Sequence, residues 1–209
     1  MPYLDLAAIE ATPLTPDPFD YLVVPDCVSV AGLNAANRDY PDIDTPGNKD
    51  LDELHYGPGF QDLIDELNSP ALRQVISNKF NVDLEDAYTT ITVRKFCEPS
   101  DGNIHTDHWS KVITVLVYFN TDWDNAAGQL RLLRSPDDIE DYAAEVAPVG
   151  GTLLAFRRTD ISWHGHKRFV GERRMLQLNF VKTGRTARYT QQLARFSTRM
   201  MKRVARLVQ

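Results

Sequence analysis

The chain has 209 residues, a formal net charge of −6 and 43% hydrophobic residues, which are ordinary values for a globular protein. It has no uninterrupted apolar run of about 18 residues, so no transmembrane helix is predicted. The first residues also lack the basic and then apolar pattern of a secretory signal. Cys27 and Cys97 fit no metal or redox spacing, and we expect them to be free thiols in the cytoplasm.

Charge is distributed unevenly along the sequence. Residues 1–86 hold 17 acids and 4 bases, a balance of −13, whereas 10 bases and no acid follow Glu172. The two ends are expected to be solvated or to lie against each other, and a partner surface is the alternative. Because the chain is acidic and its only dense basic run is the tail, no nucleic-acid role is predicted.

The front of the chain, residues 1–87, is predicted to be a helical support. Four prolines make residues 1–18 an arm or loop, and a short strand follows at Tyr21 to Val24. Ser29 is placed to cap a helix through about Asn37. Two more helices are expected from helical apolar stripes. One runs from Phe60 to Leu67, and the other begins at Ser69-Pro70, with Pro70 in its first turn, and runs to Phe80.

Between these helices lies a long irregular stretch, residues 38–58. It is rich in Asp, Pro and Gly and shows no clear periodicity. A stretch of this length within a small domain is mobile or functional. Its His55 and Tyr56 are either surface loop residues or part of a substrate entrance.

At about residue 88 the spacing of apolar residues changes from the three to four residues of a helix to the two residues of a strand, and a β-rich region begins. Strands are predicted at Tyr88 to Phe96, Lys111 to Asn120, Gly128 to Leu133, Gly151 to Phe156 and Arg173 to Val181. Asp137 to Ala144 is interpreted as a brief excursion with a helical turn. Many short strands separated by turns are typical of a sandwich or barrel. The fold class is therefore mainly β with flanking helices.

Residues 183–209 predict a basic amphipathic helix. From Ala187 onward, apolar residues recur at helical spacing and basic residues fill the positions between them. Docking on the domain is expected, and weak contact with a membrane surface or a partner is the alternative, because basic amphipathic helices bind anionic surfaces. The oligomeric state does not follow from the sequence.

Residues with metal-binding chemistry occur at two places in the β-rich region. His105 and Asp107 are two residues apart, so on an extended segment they point the same way. His164 lies 57 positions after Asp107. Two histidines and one carboxylate form the facial triad of non-haem Fe(II) oxygenases. His108 and His166 are the alternative histidine ligands, and otherwise lie around the site.

Residues 88–182 resemble the Fe(II)/2-oxoglutarate-dependent dioxygenases of the prolyl-4-hydroxylase-like branch. The resemblance rests on these segments: HTD at 105–107, LVYFN at 116–120, GQLRLL at 128–133, PVGGTLLAF at 148–156, SWHGH at 162–166 and GERRMLQLNF at 171–180. It implies a double-stranded β-helix, a cupin-like jelly-roll, with Fe(II) bound by His105, Asp107 and His164. The core would span residues 88–182 of one domain, residues 1–209.

The same resemblance implies a binding site for 2-oxoglutarate. The far carboxylate of this co-substrate needs a fixed cation, and family spacing points to Arg173 or Arg174, of which Arg173 is preferred. Tyr118 occupies the family position whose hydroxyl helps to bind the same carboxylate. Thr114, on the same strand face, is also assigned to the 2-oxoglutarate site, and Leu130 and Phe156 are expected to line the pocket.

The implied activity is hydroxylation of an unactivated C–H bond by O₂, with release of succinate and CO₂ and with ascorbate as a supporting reductant. The substrate, a small molecule or a peptide, does not follow from the sequence. Residues 38–58 and 98–110 are expected to form the substrate loops. Two tryptophans and three arginines lie near the metal motifs or strand ends. Each either has a structural or solvent-facing role or contacts the substrate: Trp109, Trp163, Arg131, Arg157 and Arg158. The alternatives are a non-catalytic cupin-type metal-binding module and a peripheral membrane protein.

Overall fold

A computed structural model describes residues 2–184 of the chain. Its helices are α1 (Leu6–Ala11), α2 (Val30–Arg38), α3 (Pro58–Leu67) and α4 (Pro70–Phe80), with a 3₁₀ turn at Leu51–Glu53. Its strands are β1 (Tyr21–Val24), β2 (Lys49–Asp50), β3 (Tyr88–Cys97), β4 (Lys111–Tyr118), β5 (Leu130–Leu133), β6 (Tyr142–Val146), β7 (Leu153–Arg157), β8 (His164–Gly165) and β9 (Gly171–Val181). The predicted C-terminal helix lies outside the described residues.

The strands form two antiparallel sheets that face each other, as in a jelly-roll. The larger sheet has the order β1-β7-β4-β9-β3-β2, and the smaller has the order β6-β5-β8. The fold is therefore mainly β with flanking helices, as the sequence indicates. None of the described helices is both long enough and apolar enough to cross a membrane.

Two apolar cores separate three layers. One face of the larger sheet, with Val115, Leu176 and Leu178, packs against the helices. The opposite face packs Leu116 and Leu154 against the smaller sheet. Because side chains alternate along a strand, each central strand contributes to both cores. This alternation decides which β9 residues face the space between the sheets.

The predicted helix starts at Ser29 and Ser69 are confirmed. Each serine side chain accepts a hydrogen bond from a backbone N–H in the first turn, and Pro70 occupies a first-turn position. The prediction that residues 1–18 form an arm or loop is wrong in part, because α1 lies within them. Asp5 caps this short helix and Ile9 is fully buried, so tertiary packing stabilises a segment too short to show a helical stripe.

Residues 137–144 do not form the predicted helical turn. A tight turn closes where the Asp141 N–H donates to the Asp138 carbonyl at 3.3 Å, and β6 then begins at Tyr142. β6 pairs with β5, and its Glu145 forms an ion pair with Arg131 at 2.6 Å. Val146 is buried in the core between the sheets. Residues 142–146 therefore form a strand because they pair with β5 and pack in the core between the sheets.

The third predicted strand begins at Leu130 rather than Gly128, because Gly128 has a positive φ of 79°. Two very short strands, β2 and β8, were absent from the prediction. β2 lies inside the irregular stretch 38–58 and pairs with β3. β8 contains His164 and pairs with β5. Two-residue strands have no periodicity of their own, so only their pairing partners define them.

Candidate metal and 2-oxo acid site

The triad residues of the sequence meet at one end of the space between the sheets. His105 and His164 exchange backbone hydrogen bonds of 3.0 and 2.9 Å, which sets their imidazole rings 4.4 Å apart. One ligand atom from each of His105, Asp107 and His164 lies within 4.8 Å of the other two. It is the only group of this kind among residues 2–184. His105 is exposed, so the group opens to solvent.

Backbone carbonyls orient both imidazoles of the triad. The Nδ1 of His105 is 2.9 Å from the Asn103 carbonyl, and the Nδ1 of His164 is 2.9 Å from the Ser162 carbonyl. A carbonyl only accepts, so each Nδ1 carries the proton and each Nε2 presents a lone pair. Burial, together with the charge of His105, lowers the pKa of His164 to about 4 and keeps its ring neutral. Neutral imidazoles are the form that binds metals.

Asp107 is held as an anion by donors on both of its carboxylate oxygens. The Lys111 ammonium is 2.5 Å from Oδ1, and the Thr114 hydroxyl donates to Oδ2 at 2.6 Å. Burial alone would raise the pKa of Asp107, but Lys111, His164 and His105 outweigh it and lower that pKa well below its usual range. Two imidazoles, each with its Nδ1 bonded to a backbone carbonyl, and one carboxylate therefore converge, a donor set that fits Fe(II).

A β-bulge brings Lys111 to the metal side of the larger sheet. The β4–β9 register shifts between Lys111, which pairs with Val181, and Ile113, which pairs with Phe180. Val112 and Ile113 both pack toward the helices, whereas Lys111 reaches Asp107. Bulges re-aim side chains in this way. The sequence analysis missed this contact, since nothing in the strand pattern signals the bulge.

Arg173 lies deep between the sheets with part of its guanidinium unpaired. It is 2% exposed. Its Nε donates to the Gly128 carbonyl at 2.6 Å and its Nη1 contacts the Met175 sulfur at 3.1 Å. Nη2 is buried without a partner, and no carboxylate among residues 2–184 forms an ion pair with this side chain. An uncompensated buried cation is costly, so the arrangement fits an anionic ligand.

Tyr118 adds a second unsatisfied donor at the same place. Its ring lies 5.4 Å from the Arg173 guanidinium, and its buried hydroxyl lies beside that guanidinium without a well-formed hydrogen bond. Burial raises the pKa of Tyr118 against the opposing charge of Arg173, so the hydroxyl stays protonated and able to donate. Together the two side chains offer one charged donor and one neutral donor, as a carboxylate requires.

Arg174 points to the opposite face of β9. It pairs with Glu172, contacts the Asn37 side-chain oxygen at 3.3 Å and lies over the Tyr40 ring at 5.4 Å. All these contacts are on the helix side of the larger sheet. Strand alternation thus separates two adjacent arginines by the thickness of the sheet.

The remaining sequence candidates lie around this centre or away from it. Phe156 and Leu130 are buried between the sheets, and the Phe156 ring is 4.9 Å from that of His164. His108 bonds to the Ser110 hydroxyl at 2.8 Å. His166 is buried, with its Nδ1 2.8 Å from the Lys167 carbonyl. Neither belongs to the three-residue ligand group.

Among the aromatic and basic candidates, Trp109 follows Asp107 by two residues on an exposed turn. It is 43% exposed, and the Lys182 ammonium is 5.9 Å from its ring centroid. Arg158 donates to the Asp107 carbonyl at 3.1 Å. Tyr56, by contrast, packs against Phe60 on the helix side at 5.3 Å and does not line an entrance.

Of the last four sequence candidates, two arginines form ion pairs within the fold, and His55 and Trp163 are exposed or partly exposed. Arg131 is buried between Glu140 and Glu145. Arg157 pairs with Asp20 at 3.0 Å. His55 is exposed and Trp163 is half-buried.

Comparisons with known proteins agree with this geometry. Residues 93–181 match the sequence model of the 2OG-Fe(II) oxygenase superfamily. A comparison with curated protein sequences finds no match. Similar solved structures include a prolyl-4-hydroxylase from Pseudomonas putida, with 16% identity, a TM-score of 0.58, and coverage of 86% of this chain and 94% of that one.

Two further solved structures share the fold. A prolyl 4-hydroxylase from Phytophthora capsici has 16% identity and a TM-score of 0.58, and the match covers 88% of this chain and 65% of that one. The viral collagen prolyl hydroxylase of Paramecium Bursaria Chlorella virus-1 has 13% identity and a TM-score of 0.52, with coverage of 82% and 94%. At these identities, the likeness concerns the fold.

Proposed function

We propose that the protein hydroxylates an unactivated C–H bond of a peptide or small molecule, because residues 93–181 match the sequence model of the 2OG-Fe(II) oxygenase superfamily. When bound, Fe(II) and 2-oxoglutarate supply the oxidation: one oxygen atom of O₂ enters the substrate and the other enters succinate, with loss of CO₂. The observation that carries the proposal is that the chain has both a three-residue metal-binding group and a buried Arg173 guanidinium whose Nη2 has no partner.

In this proposal, His105, Asp107 and His164 would hold the metal ion, and the exposed His105 leaves the group accessible from solvent. The carbonyls behind the two imidazoles keep each Nε2 free of the Nδ1 proton and available to a metal. Lys111 and Thr114 hold the carboxylate in a fixed orientation. These contacts order the ligands before the ion binds, which lowers the cost of binding.

Arg173 and Tyr118 bind the far carboxylate of 2-oxoglutarate in this proposal. Support comes from the two buried donors left without partners, Arg173 Nη2 and the Tyr118 hydroxyl. A cupin-type module that binds only a metal would give this buried cation no counter-charge. The unpaired guanidinium therefore favours an oxygenase that uses a dicarboxylate co-substrate.

Substrate class and cellular location are further parts of the proposal. Prolyl peptides are the first substrates to screen, since two of the similar structures are prolyl 4-hydroxylases and a third is a collagen prolyl hydroxylase. Cys27 and Cys97 are free and buried, which supports a reducing compartment such as the cytoplasm. One domain over residues 1–209 remains the expected organisation.

Purified protein supplied with Fe(II), ascorbate and 2-oxoglutarate in air is expected to form succinate, and a suitable peptide should increase the rate. Succinate measured by mass spectrometry, with and without a chelator, checks this outcome. Binding of 2-oxoglutarate to Mn(II)-loaded protein under argon gives a second measurement without turnover. Metal-loaded protein that neither forms succinate nor binds 2-oxoglutarate would contradict the proposed function.

Replacing Thr114 by valine is expected to weaken metal binding by about 10- to 100-fold, since partners of a ligating carboxylate typically contribute this much. The change removes the hydroxyl that donates to Asp107 and keeps the side chain's shape. Calorimetric titration with Mn(II) measures the effect. Thr89→Val is the matched control, because the Thr89 hydroxyl donates to Asn68 away from the site. Lower 2-oxoglutarate affinity with unchanged metal affinity would instead make Thr114 a co-substrate ligand.

A further inference from the structure

The orientation of Arg173 depends on a single hydrogen bond to a backbone carbonyl. Its Nε donates to the Gly128 carbonyl at 2.6 Å, and its other described polar contact is with the soft sulfur of Met175. Gly128 lies between β4 and β5, outside any strand. Whatever holds the Gly128 carbonyl in place therefore also sets the direction of the guanidinium.

Two aromatic side chains hold Gly128 in place. Trp123 and Phe169 pack with their ring centroids 4.8 Å apart, and the Trp123 indole N–H donates to the Ala127 carbonyl at 3.0 Å. The Gly128 N–H donates to the Lys167 carbonyl at 3.3 Å. Both polar groups of the Ala127–Gly128 peptide, which directly precedes the Gly128 carbonyl, are thus tied to the segments that carry the two rings.

The rings approach Gly128 so closely that only glycine fits. A Cβ at this position would lie 2.7 Å from the Trp123 ring and 3.1 Å from the Phe169 ring. The positive φ of 79° also disfavours any other residue. Phe169 makes a similar approach to Gly171, two residues before Arg173, where a Cβ would lie 3.1 Å from its ring. Phe169 therefore packs between the carbonyl that orients Arg173 and the start of its strand.

We propose that Trp123, Phe169 and Gly128 are positioning residues that aim Arg173 at the far carboxylate of the co-substrate. The inference rests on the proposed function and adds to it the residues that orient its carboxylate-binding cation. The triad and Tyr118 lie outside this contact. Loss of the rings would leave metal chelation intact and weaken only the contact at Arg173.

The test compares two chelators in Mn(II)-loaded protein under argon. 2-Oxoglutarate reaches Arg173, whereas oxalate chelates the metal through two oxygens and has no far carboxylate. Trp123→Ala is expected to raise the Kd of 2-oxoglutarate about 10- to 100-fold, the range for a weakened hydrogen bond to a charged group, and to leave the Kd of oxalate unchanged. Calorimetric titration gives both constants.

Further variants separate positioning from general damage. Trp123 is half-buried, so Trp123→Ala is expected to fold, and Trp123→Phe should restore part of the affinity. Gly128→Ala should reproduce the selective loss, because its methyl group displaces the Trp123 ring. Val170→Ala is the matched control: its side chain is 66% exposed next to Phe169 and should leave both constants unchanged.

Equal weakening of oxalate and 2-oxoglutarate in Trp123→Ala, or no weakening of either, would overturn the inference. Those results would leave the proposed function intact, provided that the wild-type protein binds both chelators. A wild-type protein that binds oxalate but not 2-oxoglutarate would instead remove the proposed co-substrate, and the inference with it.

Discussion

Replacing His105 by alanine is expected to lower metal affinity by more than about 100-fold and to abolish succinate formation. Loss of a direct ligand should exceed the 10- to 100-fold typical of the groups behind a ligand. His105 is the exposed member of the triad, so its removal leaves no buried cavity. Metal content after dialysis and calorimetric titration with Mn(II) measure the loss. An unchanged melting temperature would show that the fold is intact.

His108→Ala and His166→Ala are the matched controls for this experiment. Each removes an imidazole close to the triad in sequence, but neither belongs to the ligand group. Both variants are expected to keep metal affinity within about tenfold, the lower end of the effects seen for groups behind a ligand. If His105→Ala kept its metal while His108→Ala lost it, the first histidine ligand would have been assigned wrongly.

Replacing Arg173 by alanine is expected to weaken 2-oxoglutarate binding by about 30- to 4,000-fold. This range corresponds to the loss of about 2–5 kcal/mol for truncating one partner of a buried charge pair. The affinity for the metal alone should not change, because Arg173 is not a ligand. Arg173→Lys keeps the charge but loses the planar fork, so we expect an intermediate affinity. Titration of Mn(II)-loaded protein under argon measures each constant.

The neighbouring arginine is the control for this prediction. Arg174 lies on the helix side of β9, where it pairs with Glu172 and is 27% exposed. Exposed or partly exposed pairs contribute about 0–1 kcal/mol, and this one is across the sheet from the site. Arg174→Ala should therefore change 2-oxoglutarate affinity by less than about threefold. If Arg174→Ala bound 2-oxoglutarate weakly and Arg173→Ala bound it with normal affinity, the roles of the two arginines would be exchanged.

The sequence predicted the elements whose signals are local. Ser29 and Ser69 cap helices where expected, because a cap needs only its own first turn. The long strands β3, β4 and β9 follow from alternation over eight or more residues. α1, β2 and β8 escaped prediction because each is too short to carry a periodic signal, and each exists through contacts with distant segments.

For the site, the sequence by itself determined the chemistry. The H-x-D triplet, His164 and the adjacent arginines are the residue types that an Fe(II) and 2-oxo acid site needs, and their order along the chain carries the resemblance. These signals lie within short segments or at fixed spacings, so they are visible without coordinates. The sequence also preferred Arg173, because its neighbours at alternate positions are Met175, Gln177 and Asn179.

Only the tertiary structure decided which groups these residues meet. The bulge that brings Lys111 to Asp107 depends on the register between β4 and β9. The carbonyl that accepts from Arg173 comes from Gly128, 45 residues earlier, and the rings of Trp123 and Phe169 pack closely against that glycine. Such contacts depend on how two sheets and their connections close on one another. No local propensity or spacing encodes that closure, so it appears only in the folded chain.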